Sequence, residues 1–125
     1  MLNNLFQCLL KIHLYRSFKM SVVFEQRSQL GPNDLRVEIF NSQGNGLDPY
    51  LIYYSFYGED EVRGEWRVGV EKRYPVKEEE GKFYVGERLT TGFIPGDYYI
   101  QWVIQRTETS PLEIIKKQEF AVIGY

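Results

Sequence analysis

The stretch PGDYYIQWVIQ, residues 95–105, decides how this chain is read. A Pro-Gly turn opens a run of β-branched and aromatic residues, the composition of a strand. Successive side chains of a strand point to opposite faces. Tyr98, Ile100, Trp102 and Ile104 therefore share one face, and Tyr99, Gln101, Val103 and Gln105 share the other. The first face is continuously apolar. The second carries two glutamines. Parity assigns Trp102 to a core, and leaves Tyr99 and Gln101 as the side chains that meet solvent or a partner.

Neighbouring segments repeat the same logic. LRVEIFN (residues 35–41) alternates Leu35, Val37 and Ile39 against Arg36 and Glu38, and the turn-rich loop SQGNGLDP follows it. LIYYSFY (51–57) is apolar on both faces, as expected of a central strand covered on both sides. EWRVGVE (65–71) aligns Trp66 with Val68 and Val70, which predicts a core position for Trp66. The charged stretches GEDEVRG and KEEEG read as turns, KFYVGERL (82–89) as another strand, and EIIKKQEFAVIG as the last. A weaker strand covers residues 22–27. Short strands at this spacing, joined by polar loops, predict an all-β domain: an immunoglobulin-like antiparallel β-sandwich of about seven strands. Without a disulfide, packing alone must hold its sheets together.

The domain assignment is 21–125 for the sandwich and 1–20 for an N-terminal extension. The chain of 125 residues has a net charge of -2, and 16% of its residues are aromatic. Residues 1–20 hold Lys11, Arg16 and Lys19 with no acid, the only Cys (Cys8) and the only His (His13), and end at a second methionine. They lack a signal-peptide cleavage site and are too short to span a bilayer. Leu2, Leu5, Phe6, Leu9 and Ile12 have the spacing of a short amphipathic helix. The other reading is an upstream in-frame extension, with translation starting at Met20.

Charge and composition also exclude functions. The balance offers no field for holding nucleic acid, and no segment reads as a membrane anchor. From Met20 onward there is no His and no Cys, which removes imidazole bases, thiol nucleophiles and nearly all zinc sites. No Gly-rich phosphate loop precedes a helix. The dense acids, Glu59, Asp60 and Glu61 with Glu78, Glu79 and Glu80, fall in turns, where carboxylates are ordinarily solvated rather than paired for hydrolysis. Asn45 and Asp48, or Asp60 and Glu61, could lend oxygens to calcium, yet turn formation explains them without an ion. No enzyme, no cofactor and no metal is the expectation.

Tyr99 with Gln101, and Tyr53 with Tyr57 on LIYYSFY, form the predicted interaction surface. Tyrosines between polar residues suit a protein interface or a glycan platform, and equally suit cross-strand pairs on a solvated sheet.

The order of features from residue 33 to 124 resembles small immunoglobulin-like proteins encoded among the structural genes of tailed bacteriophages. The resemblance rests on LRVEIFN, on Asp48-Pro49-Tyr50 ahead of LIYYSFY, and on Tyr74-Pro75-Val76. It continues through Gly81-Lys82-Phe83-Tyr84, Pro95-Gly96-Asp97-Tyr98-Tyr99-Ile100-Gln101-Trp102, Ser110-Pro111 and Gln118-Glu119-Phe120-Ala121-Val122. It implies a virion component of head, neck or tail, with other virion proteins or copies of itself as partners, and carries over no catalytic residue. A glycan-binding module of a phage or bacterial surface protein is the rival expectation.

Overall fold

The computed structural model describes residues 22–60, 65–66, 71–89 and 93–124, with the side chains of 59–60 and 65–66 left aside. The readings of residues 1–20, of Glu61, of the strand through Val68 and Val70, and of the Trp66 side chain lie outside the described residues.

Among the described residues eight strands follow one another: β1 (Val22–Glu25), β2 (Arg36–Glu38), β3 (Leu51–Asp60), β4 (Glu65–Trp66), β5 (Val76–Glu79), β6 (Lys82–Tyr84), β7 (Gly96–Gln105) and β8 (Leu112–Ile123). They form a five-stranded sheet in the order β1-β8-β7-β3-β4 and a three-stranded sheet in the order β2-β6-β5. The domain is all-β and sandwich-like, with no helix among the described residues. Two details depart from the sequence reading. β1 pairs with β8 in parallel, Val22 opposite Phe120, whereas every other pair among the described residues is antiparallel. Nearly the whole domain lies between β1 and β8 in sequence, so no hairpin dictates their relative direction. KEEEG, read as a turn, instead supplies β5, and only Glu80 and Gly81 turn the chain into β6. β5 is an edge whose four residues are all exposed, so its charges cost nothing in burial and guard the edge against further pairing.

The inner faces of the two sheets share one apolar core. Leu35, Val37 and Ile39 come from β2 and its flanks, Phe83 and Val85 from β6 and the residue beyond it. Opposite them, Tyr54 and Phe56 of β3, Phe120 and Val122 of β8, and all four inner residues of β7 are buried. Trp102 is 0% exposed, its ring 5.2 Å from Tyr54. Phe56 meets Phe93 edge-on at 5.0 Å and Phe120 at 5.8 Å, and Tyr98 stacks on Phe120 at 5.7 Å. Such aromatic pairs add about 0.5–1.5 kcal/mol each beyond area burial. Tyr98 lies over Gly58, its partner in the β3–β7 register. A Cβ at Gly58 would fall 2.2 Å from that ring. The Tyr98 hydroxyl donates to the Ile94 carbonyl at 2.6 Å, holding the entry to β7.

Polar groups tie the loops to this core. Residue 73 pairs with Tyr54 through two backbone hydrogen bonds of 2.8 and 2.9 Å, before the chain crosses to β5 in the other sheet. At the crossing the Tyr54 hydroxyl donates to Glu87, and Arg73 pairs with the same carboxylate at 2.6 Å. Burial, then the bond to Glu87, pushes the Tyr54 hydroxyl far above the usual phenol range. Asp48 closes the β5–β6 turn: its carboxylate accepts from the Gly81 N–H at 2.8 Å and pairs with Lys77 at 2.5 Å. Gly81 sits at φ 80°, where a side chain is strained.

Two measurements test this account. Trp102→Ala lowers unfolding free energy by about 3–5 kcal/mol, and Gly58→Ala by about 1–3 kcal/mol through overpacking against Tyr98; both are read by chemical denaturation. The Lys77 bond, then the Gly81 N–H, holds the Asp48 carboxyl below its ordinary range. Its contribution to stability is therefore present above the ordinary carboxylate range and is lost as pH falls through the lowered value. Asp48→Asn removes that acid-side slope from a melting-temperature series.

Candidate functional site

The candidate site is the outer face of the five-stranded sheet, where register sets each neighbour. Tyr57 lies opposite Tyr99, Ser55 opposite Gln101, and Tyr53 opposite Val103. On the far side of β7, Tyr99 lies opposite Glu119, Gln101 opposite Lys117, and Val103 opposite Ile114. The four residues singled out from the sequence thus fall on one face of two adjacent strands. Their roles differ.

Tyr57 and Tyr99 stack, with ring centroids 4.9 Å apart and planes 13° from parallel. Lys117 adds its ammonium 5.5 Å from the Tyr99 ring. Desolvation, followed by the neighbouring Tyr99, raises the Tyr57 hydroxyl above the usual phenol range. Both tyrosines and Gln101 are half-buried. Tyr53 is a correction to the sequence reading. It is only 9% exposed, with Lys72 5.0 Å from its ring centroid, and it packs as part of the sheet instead of projecting as an anchor. The physical reason lies beside it: Ser55 is buried as well, its hydroxyl donating to the Glu71 carbonyl at 3.2 Å, so residues 71–73 shelter this part of the face.

Two residues enter the site that parity did not offer. Ile114 and Leu112 of β8 are 55% and 53% exposed, and continue the face beyond Tyr53 and Val103. Strict alternation back from Phe120 would turn Ile114 inward. A β-bulge intervenes, with Trp102 opposite Lys116 but Val103 opposite Ile114, and the extra residue reverses the parity of everything before it. The one sequence signal is the doublet Ile114-Ile115, which cannot place both side chains on one face.

Two of the dense acids take up structural partners. Glu78 pairs with Arg36 at 3.0 Å and Glu79 with Lys82 at 2.9 Å. Asn41 accepts the N–H groups of Gln43 and Asn45, which makes the loop ahead of Asp48 a side-chain-stabilised turn. The Asp48 carboxylate is engaged by the Gly81 N–H and by Lys77. Among the described residues no group of three or more His, Cys, Asp or Glu is positioned to hold a metal.

Compared with protein-family models, curated proteins and solved structures, the chain matches none. Function must therefore be argued from the surface. The stacked pair is the first quantity to measure: a double-mutant cycle on Tyr57→Ala and Tyr99→Ala gives a coupling of about 0.5–1.5 kcal/mol in denaturant unfolding. Additive effects would show that the stack carries no energy of its own.

Proposed function

We propose that this chain is a non-enzymatic, immunoglobulin-like module that binds protein through the outer face of its five-stranded sheet. The strand order supports the fold family: β2-β6-β5 against β3-β7-β8 corresponds to the two sheets of immunoglobulin domains. So does Tyr98, which donates to a carbonyl four residues upstream and stands two residues before the buried Ile100, the arrangement of a tyrosine corner. Its core has no disulfide and uses the cluster of Tyr54, Phe56, Trp102 and Phe120 in that place.

The observation that carries the binding reading is the exposed apolar pair Ile114 and Leu112, continuous with a face of ordered tyrosines. Rigid aromatic side chains beside exposed aliphatics bury area at low entropic cost, as protein interfaces require. Sugar stacking needs an open ring face. Here Tyr57 and Tyr99 spend one face on each other, and Lys117 lies over the Tyr99 ring, which favours protein over glycan. The sequence resemblance to phage virion proteins makes copies of this chain, or neighbouring virion proteins, the partners to try first. In a repeated assembly, weak single contacts suffice.

Light scattering across a concentration series tests the proposal. Self-association is expected, and Ile114→Glu abolishes it, while no polysaccharide retards the protein in affinity electrophoresis. A monomer that polysaccharide retards, and that Tyr99→Ala releases, would establish the glycan-binding alternative instead.

A further inference from the structure

The outer face of β8 is its own complement. Register places Leu112, Ile114, Lys117, Glu119 and Ala121 on it, against Gln105, Val103, Gln101, Tyr99 and Asp97 of β7. Alternation adds Ile123 one step beyond Ala121, and β1 sets Val23 beside Ala121. An apolar patch therefore stands at each end. Val23 and Ile123 are 52% and 46% exposed, much as Leu112 and Ile114 are at the other end. Between the patches lie one cation, Lys117, and one anion, Glu119, both exposed.

Measured along β7, Leu112, Ile114 and Lys117 stand at the levels of residues 105, 103 and 101, and Glu119, Ala121 and Ile123 at those of 99, 97 and 95. The bulge at Ile115 makes this spacing even, and its midpoint is Ile100. Consider a half-turn about an axis lying in the face and crossing the strands there. It lays Lys117 over the Glu119 of a second copy and Glu119 over its Lys117. The same operation lays Ile114 over Ala121 and Val23, Leu112 over Ile123, and Gln101 over Tyr99. Such a contact is isologous, so each favourable pair occurs twice and the assembly closes as a dimer. Facing sheets cross at about 30°, so the apolar ends meet as patches while the charged centre keeps its register. Residues 71–73 shelter the β3 side of the face, which leaves β7, β8 and β1 for the approach. That area runs about 35 Å along β8 and about 15 Å across three strands. Covered on both copies it comes to about 1,000 Å², the lower bound of a specific interface and enough for a reversible dimer.

Resting on the outer-face reading above, we propose that the partner is a second copy of this chain. It docks with β8 antiparallel to β8 about a two-fold axis at the level of Ile100, and Lys117 and Glu119 pair reciprocally across that axis.

Sedimentation equilibrium on the full chain is the test. The parent is expected to reach the mass of a dimer and stop there. Lys117→Glu or Glu119→Lys alone sets like charges against each other at both pairs, and raises the dimer dissociation constant at least about tenfold. An equimolar mixture of the two variants recovers the parent's affinity, because opposite charges then meet at both pairs, and that recovery also shows both variants folded. The double variant K117E/E119K dimerises like the parent. Self-association that Ile114→Glu abolishes, but that neither the mixture nor the double variant recovers, overturns this register and leaves the outer-face reading standing. Self-association indifferent to Ile114→Glu overturns both. A parent that stays monomeric, or whose mass climbs past the dimer, overturns the two-fold pair alone.

Discussion

The inner face of β7 is the constraint on which the rest of the domain depends. Tyr98, Ile100, Trp102 and Ile104 are all withdrawn from water, in one core with buried residues of β2, β3, β6 and β8. Hydrophobic burial has no direction, but rings of this size do. The contacts of Trp102 with Tyr54, of Tyr98 with Phe120, and of Phe56 with Phe93 set how the neighbouring strands lie relative to β7. Where a disulfide would cross-link two sheets at a point, these contacts spread the same task over several side chains. Close packing then limits what the backbone can carry beside them. At Gly58, for instance, a side chain would occupy the space of the Tyr98 ring.

One polar cluster lies where the chain passes from one sheet to the other. Tyr54 has its ring in the core and its hydroxyl on Glu87, and Arg73 completes the link while its guanidinium lies 5.5 Å from the Phe56 ring. A buried hydroxyl without a partner costs stability, so this link satisfies the core tyrosine and fastens the crossing segment together. Asp48 does similar work at the opposite sheet with one backbone and one side-chain partner. Each carboxylate is engaged by a cation or an N–H that the fold itself requires.

The outer face of the larger sheet obeys different rules. Its residues reach their positions because the inner ones are fixed, so the Tyr57–Tyr99 stack is a consequence of the β3–β7 register that the core selects. That pair was legible from parity once both strands were recognised. Tyr53 was not, because its burial depends on residues 71–73, which pack beside it in space and lie well away in sequence. Ile114 escaped for another reason. Its orientation follows from a bulge, and a bulge is a property of how two strands pair rather than of either strand alone.

Period-2 alternation determined, by itself, the all-β class and the burial of Trp102 and its three companions. These are local consequences of backbone geometry and apolar transfer, so a single strand contains them. Only the tertiary structure decided the parallel pairing of β1 with β8, the use of Lys77, Glu78 and Glu79 as an edge strand, and which tyrosines of the outer face remain partly exposed. Each of these depends on which distant segment arrives alongside. Alternation states that a residue turns inward or outward; it carries no information about what the outward residue will meet.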